Sequence, residues 1–155
     1  MPFLSKPELA FFADISARVG PAHEVGRTPQ GNRRIIPILA GEVQGDGWKA
    51  RLLPGGADFQ MIVSATMAHL DARYVMETDA GDLIFVKNQA IRAASAEAMA
   101  RLIKGEAVDP AAVYFRCVPS FETSSPSLSW INERLFIGTG LRRPDDVQIS
   151  CFLVK

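Results

Sequence analysis

The sequence predicts an all-β protein, an antiparallel barrel or sandwich of about eight to nine strands with one main helix. Three observations carry that expectation. Runs rich in aliphatic and aromatic residues recur along the chain. Tight-turn signals of Gly, Pro, Asn and Asp separate them. Only one segment shows a capped helical pattern. At 155 residues the chain fits a single domain, 1–155, around one core. Apolar residues at 48% and charged residues at 22% exclude an extended disordered chain.

In order, Glu8–Val19 alternates as a strand, and residues 20–33, holding Gly20, Pro21, Gly26, Pro29 and Gly31, are expected to be loop. Ile35–Val43 follows as a strand, with Pro37 marking an edge or bulge. Gln44-Gly-Asp-Gly47 turns into a partner strand, Trp48–Leu53, and Pro54–Asp58 is a second sharp connection. Asp58–Ser64 and Met67–Thr78 are strands, and Asp79-Ala-Gly-Asp82 turns the latter into Leu83–Asn88. A helix is expected over Ala96–Lys104, with Ser95 as N-cap, Glu97 in the first turn and Gly105 as the stop. Asp109-Pro110 starts a brief helical turn. Val113–Glu122, Leu128–Gly138 and Val147–Val154 complete the strands.

Several stretches in this order resemble a known family. They are Arg33-Arg-Ile-Ile-Pro-Ile38, Leu53-Pro-Gly-Gly-Ala-Asp58, Leu70-Asp-Ala-Arg-Tyr74, Tyr114-Phe-Arg116, Pro119-Ser-Phe-Glu-Thr123, Trp130-Ile-Asn132 and Phe136-Ile-Gly-Thr-Gly140. From about residue 33 onward the chain resembles the bacterial and fungal family called domain of unknown function 3237. The resemblance implies a lipocalin-like antiparallel β-barrel and carries over no established reaction. The chain departs from the family pattern at Lys87-Asn-Gln-Ala90, Phe59 and Leu128.

Strand side chains alternate between faces, so Asp71 pairs in facing with Arg73, Tyr114 with Arg116, and Trp130 with Asn132. If these faces converge inside a barrel they form a polar pocket for a small molecule. Arg73 and Arg116 are candidate anchors for an oxyanion, since a guanidinium grips planar anions with two parallel hydrogen bonds. Asn88, Tyr114, Trp130 and Asn132 are candidate ligand contacts. Glu122, Asp71 and His69 are candidates for moving a proton. Each has a plain structural reading beside this one: Asp71 and Arg73 as an ion pair, His69 at an exposed strand end, Trp130 as wall.

Seventeen basic and seventeen acidic residues leave no net charge, so no nucleic-acid partner is expected. No apolar run reaches the roughly 18 residues of a membrane helix, and no basic leader precedes one. The expectation is a cytoplasmic protein with no membrane partner. Cys117 and Cys151 are expected to be buried and reduced. No metal site or cofactor is expected, because His23 and His69 lie far apart and no phosphate-binding loop or dinucleotide fingerprint is present. Gly138-Thr-Gly140 is taken as a strand-end turn.

Two function classes follow. One is a cofactor-independent enzyme moving protons on a small carbonyl or aromatic metabolite, as an isomerase, cyclase or hydrolase. The other is a non-catalytic binding or carrier protein for such a compound. Homo-oligomerisation is left open.

Overall fold

Alternating apolar residues drive ten antiparallel strands to close on themselves in the computed structural model, which describes residues 1–155. The strands are β1 (Leu9–Val19), β2 (His23–Thr28), β3 (Gly31–Gly45), β4 (Lys49–Leu52), β5 (Gly56–Ser64), β6 (Met67–Thr78) and β7 (Leu83–Ala94). After the helix α1 (Ala96–Ile103) come β8 (Val113–Thr123), β9 (Phe136–Arg142) and β10 (Asp146–Val154). The chain passes β1-β10-β9-β8-β7-β6, and pairing of β1 with β3 closes the ring. The expected antiparallel barrel is therefore present.

Ten strands fill eight positions around this barrel. β4 and β5 share one position, because β4 pairs Gly41–Gln44 of β3 while β5 pairs Asn32–Ile38 of the same strand. Both also pair β6. The expected sharp connection at Pro54–Asp58 is thus a break within one long stave. Gly55 permits the break with φ +105°, and Leu53 N–H still donates to Val75 O across it. β1 and β2 are likewise one interrupted stave on the other side of β3.

Period-two burial places Ile84, Val86 and Ala90 of β7, and Phe115, Cys117 and Phe121 of β8, inside the barrel. One end is filled by aromatic rings. Phe12 lies 4.7 Å from Phe136, 5.0 Å from Phe121, 5.3 Å from Trp48 and 5.8 Å from Trp130, measured between centroids. At the other end α1 packs against β7, burying Met99 and Leu102. Ser95 Oγ accepts from Ala98 N–H at 3.1 Å, and Gly105 ends the helix with φ +79°. No helix is long and apolar enough to cross a membrane.

Four local expectations are corrected. Residues 20–33 contain β2, which pairs with the start of β3. β7 continues past Asn88 to Ala94. Pro126–Glu133 is a 3₁₀ helix where a strand was expected over 128–138; Pro126 follows Ser125 as a helix start, and the strand begins at Phe136. Gly138 and Gly140 sit inside β9 rather than in a turn, beneath the side chains of β8. A Cβ at Gly140 would lie 2.6 Å from the Phe115 ring.

Candidate ligand site in the barrel interior

Polar residues interrupt the inward, apolar rows at a few positions. On β7 the row runs Ile84, Val86, Asn88, Ala90, Arg92, all buried. On β5 Asp58 and Gln60 point inward with Ile62, on β6 Tyr74 does so with Leu70, and on β9 Arg142 does so. These polar groups line a cavity with about 60 Å³ of room for water centres. A water needs roughly 10–15 Å³ on that measure, so the space suits a small organic group. Ala17, Ala72 and Ala90 are short enough to leave it open, while Ile15, Ile36, Leu70, Phe115 and Ile149 form its apolar walls.

Asp58 is fixed on both carboxylate oxygens. Its Oδ2 accepts from Gln60 Nε2 at 2.8 Å, and its Oδ1 accepts from the backbone N–H of Asp71 at 3.0 Å. The second bond falls where the β5–β6 pairing lapses between Asp58/Ala72 and Met61/His69, so the side chain satisfies a backbone donor that the ladder leaves free. Burial pushes the Asp58 carboxyl above its ordinary range, against the opposing pull of the Gln60 hydrogen bond and the Arg92 charge.

The guanidinium groups lie in the opposite electrostatic condition. Arg92 is 3% exposed and its Nε has no partner. Burial lowers its pKa to about 10, and the neighbouring charges of Arg142 and Arg34 lower it while Asp58 supports it. Burial likewise lowers the Arg142 pKa, and its Nη1 also has no partner. Arg34 donates to Ile103 O at the end of α1 and lies 3.3 Å from Glu24. Asn88 Oδ1 and Gln60 Oε1 are buried without partners too. Burial raises the Tyr74 phenol well above its usual range, so it remains a neutral donor.

Of the nine expected site residues, Asn88 alone lines this cavity. The facing of the others is corrected. Tyr114, Arg116 and Glu122 alternate with the buried Phe115, Cys117 and Phe121 of β8 and therefore project outward. His69 and Arg73 are exposed, and Asp71 is half-buried on the same outer face of β6. Asp71 and Arg73 form an exposed ion pair at 3.0 Å, and Arg116 stacks over the Tyr114 ring at 5.2 Å. His69, Asp71, Tyr114 and Arg116 share an outer groove with Phe59 and Ile137, with about 790 Å³ of room on the same measure. Trp130 lies against Phe12 at the aromatic end, partly exposed. Asn132 ties the 3₁₀ helix to β8: its Oδ1 accepts from Thr123 N–H at 2.9 Å and its Nδ2 donates to Thr123 O at 3.0 Å.

Asp58, Gln60, Arg92 and Arg142 were missed. The available signal was a polar residue standing at the apolar parity of its strand, as Arg92 does two places after Ala90. Cys117 and Cys151 are buried and free, and burial pushes both thiols up.

The model for the family described as "Protein of unknown function (DUF3237)" matches residues 7–154. A UPF0311 protein of Rhodopseudomonas palustris is 43% identical over 143 residues, spanning 92% of this chain and 94% of that protein. A crystal structure described as a β-barrel-like protein from Acinetobacter baumannii superposes with a TM-score of 0.85 at 38% identity, covering 98% of both chains. A crystal structure described as an enzyme from Penicillium herquei shares the fold, with a TM-score of 0.73 at 17% identity over 100% of this chain and 99% of that one. By the family model and these relatives, the chain belongs to the DUF3237 family.

Proposed function

We propose that the barrel interior is a small-molecule site that moves a proton on a small carbonyl-bearing or aromatic metabolite without a cofactor. The observation that carries this reading is Asp58: a carboxyl with a raised pKa, held on both oxygens, facing a largely apolar cavity that also holds guanidinium groups. A buried base of raised pKa suits proton abstraction next to a carbonyl. In such a step the C–H proton passes to Asp58 and its electron pair moves onto the carbonyl oxygen as an enolate. The proton then returns to a different atom, or the enolate carbon attacks a second carbonyl in the same molecule and the alkoxide so formed takes the proton back from Asp58. The Tyr74 hydroxyl and the guanidinium groups line the same cavity and would stabilise that oxygen. The Penicillium herquei protein supports only the capacity of this fold to carry catalysis; no residue role comes from it.

The test is deuterium uptake in D2O by a panel of small diketones and aryl ketones, followed by NMR with the intact protein. Accelerated exchange in at least one ketone, lost in Asp58→Asn, is expected. Ketones that bind without any acceleration would leave a carrier as the function.

A further inference from the structure

We infer that the interior site takes a small monoanion bearing a planar oxyanion, a carboxylate or the enolate of a carbonyl compound, gripped by Arg92 and Arg142. The inference rests on the barrel interior being a ligand site and names the charge and shape of what it accepts.

Charge counting leads to it. Three guanidinium groups, those of Arg34, Arg92 and Arg142, are near enough to influence one another. Asp58 is the one carboxylate lining the cavity. Glu24 meets Arg34 from the exposed side, at 3.3 Å. Asp146, which also influences Arg142, is engaged in a two-point bond to Arg143 at 2.7 and 2.6 Å. Asp145 also acts on Arg142 from an exposed position, but within the cavity lining Arg92 and Arg142 meet Asp58 alone, two positive charges against one carboxylate. A buried charge without a partner is strongly unfavourable, so a chain retaining one gains by receiving an anion.

The donor geometry points the same way. Arg92 is 3% exposed, makes no salt bridge, and has a partnerless Nε; Arg142 has a partnerless Nη1. A guanidinium with free edge donors matches the two oxygens of a carboxylate or the delocalised oxygens of an enolate. The small cavity and its apolar walls limit the rest of the ligand to a compact hydrocarbon part. Leu102 of α1 and Phe115 border the space beside Arg142 with apolar side chains.

A purely structural arginine and a ligand-binding one differ in a measurable way. Removing an unpaired buried charge relieves the unliganded fold, whereas removing a paired one harms it. The experiment compares propionate and benzoate with their neutral amides, propionamide and benzamide, and with inorganic phosphate. Binding to the full chain is followed by calorimetry and by the arginine Nε–Hε NMR signals. In the parent, carboxylates are expected to bind at least tenfold tighter than the amides and to move the Arg92 signal. Arg92→Met and Arg142→Met are expected to melt at the same or higher temperature without ligand and to lose the carboxylate preference. Arg92→Lys, which keeps the charge but not the fork, is expected to recover it only in part.

Amides binding as tightly as carboxylates would overturn the inference while leaving the interior ligand site intact. Phosphate binding in place of carboxylates would overturn the planar-oxyanion class. Absence of binding by every probe, with unmoved arginine signals, would overturn both the inference and the reading beneath it. Should Arg92→Met fail to fold, the parent's preference and Arg142→Met decide. Lower melting temperatures in both Met variants, with carboxylate preference retained, would assign the arginines to structure and overturn it.

Discussion

Gln60 donates through Nε2 to Asp58 Oδ2 at 2.8 Å while its own Oε1 stays buried without a donor. The two side chains lie two residues apart on β5 and project to the same inner face. The pair is matched to a proton. If Asp58 becomes protonated, rotation of the Gln60 amide lets Oε1 accept from the new O–H, and the orphaned oxygen is satisfied.

That relationship fixes a pH dependence. Burial raises the Asp58 pKa in the folded state, so the folded protein holds this proton at pH values where the unfolded chain has released it. The contribution of Asp58 to stability is therefore fullest below the unfolded pKa and declines as pH rises through the folded one. Asp58→Asn mimics the protonated form. Thermal melts should show the variant gaining on the parent from pH 4 to pH 8, with the widest gap at the alkaline end.

Gly140 lies under the Phe115 ring, where a Cβ would approach to 2.6 Å. Gly140→Ala should cost about 1–3 kcal/mol through overpacking. Urea denaturation measures it, and an unchanged midpoint would show that Phe115 moves aside freely.

Phe12 touches four other rings at the aromatic end of the barrel. Phe12→Ala should cost about 3–5 kcal/mol, as large-to-small changes among packed aromatics do. The same variant should alter Trp48 and Trp130 fluorescence in the folded protein, since both indoles lose a neighbour.

Arg73 and Asp71 pair in the open, where water and salt compete for both partners. Arg73→Met should leave the melting temperature unchanged in thermal scans at low and high salt. A marked loss would mean that the pair organises β6.

Cys117 and Cys151 are both buried with raised pKa values. A thiol reagent at pH 8 should modify neither at an appreciable rate in the folded protein and both after unfolding in guanidinium.

The barrel was legible because strands with one buried face advertise themselves by alternation, and turns by Gly, Asp and Pro. The helix was legible for a different reason: Ser95 and Gly105 mark its ends chemically. The site was not, because alternation gives two faces and does not say which is inside. On β8 the polar face drew attention, yet Phe115, Cys117 and Phe121 had the stronger claim to the interior. The 3₁₀ helix at 126–133 was hidden because Trp130 and Asn132 look like strand residues, and the two hydrogen bonds of Asn132 to Thr123 link positions no local pattern connects. Asp58 was hidden in the same way, since its partner at Asp71 is a backbone N–H on another strand.

The manner of closure has a consequence for how the molecule is made. β10 pairs β1 on one side and β9 on the other, joining Leu9 to Val154 across almost the whole sequence. During synthesis β1 can meet β3 early, but its other edge waits until residues 146–154 have emerged. Until then both β1 and β9 present bare hydrogen-bonding edges, the features through which nascent β-sheets associate with one another. A chain cut short before Asp146 would lack the strand that joins β1 to β9 and would keep both edges open. The nine residues of β10 thus act as the clasp that closes the barrel.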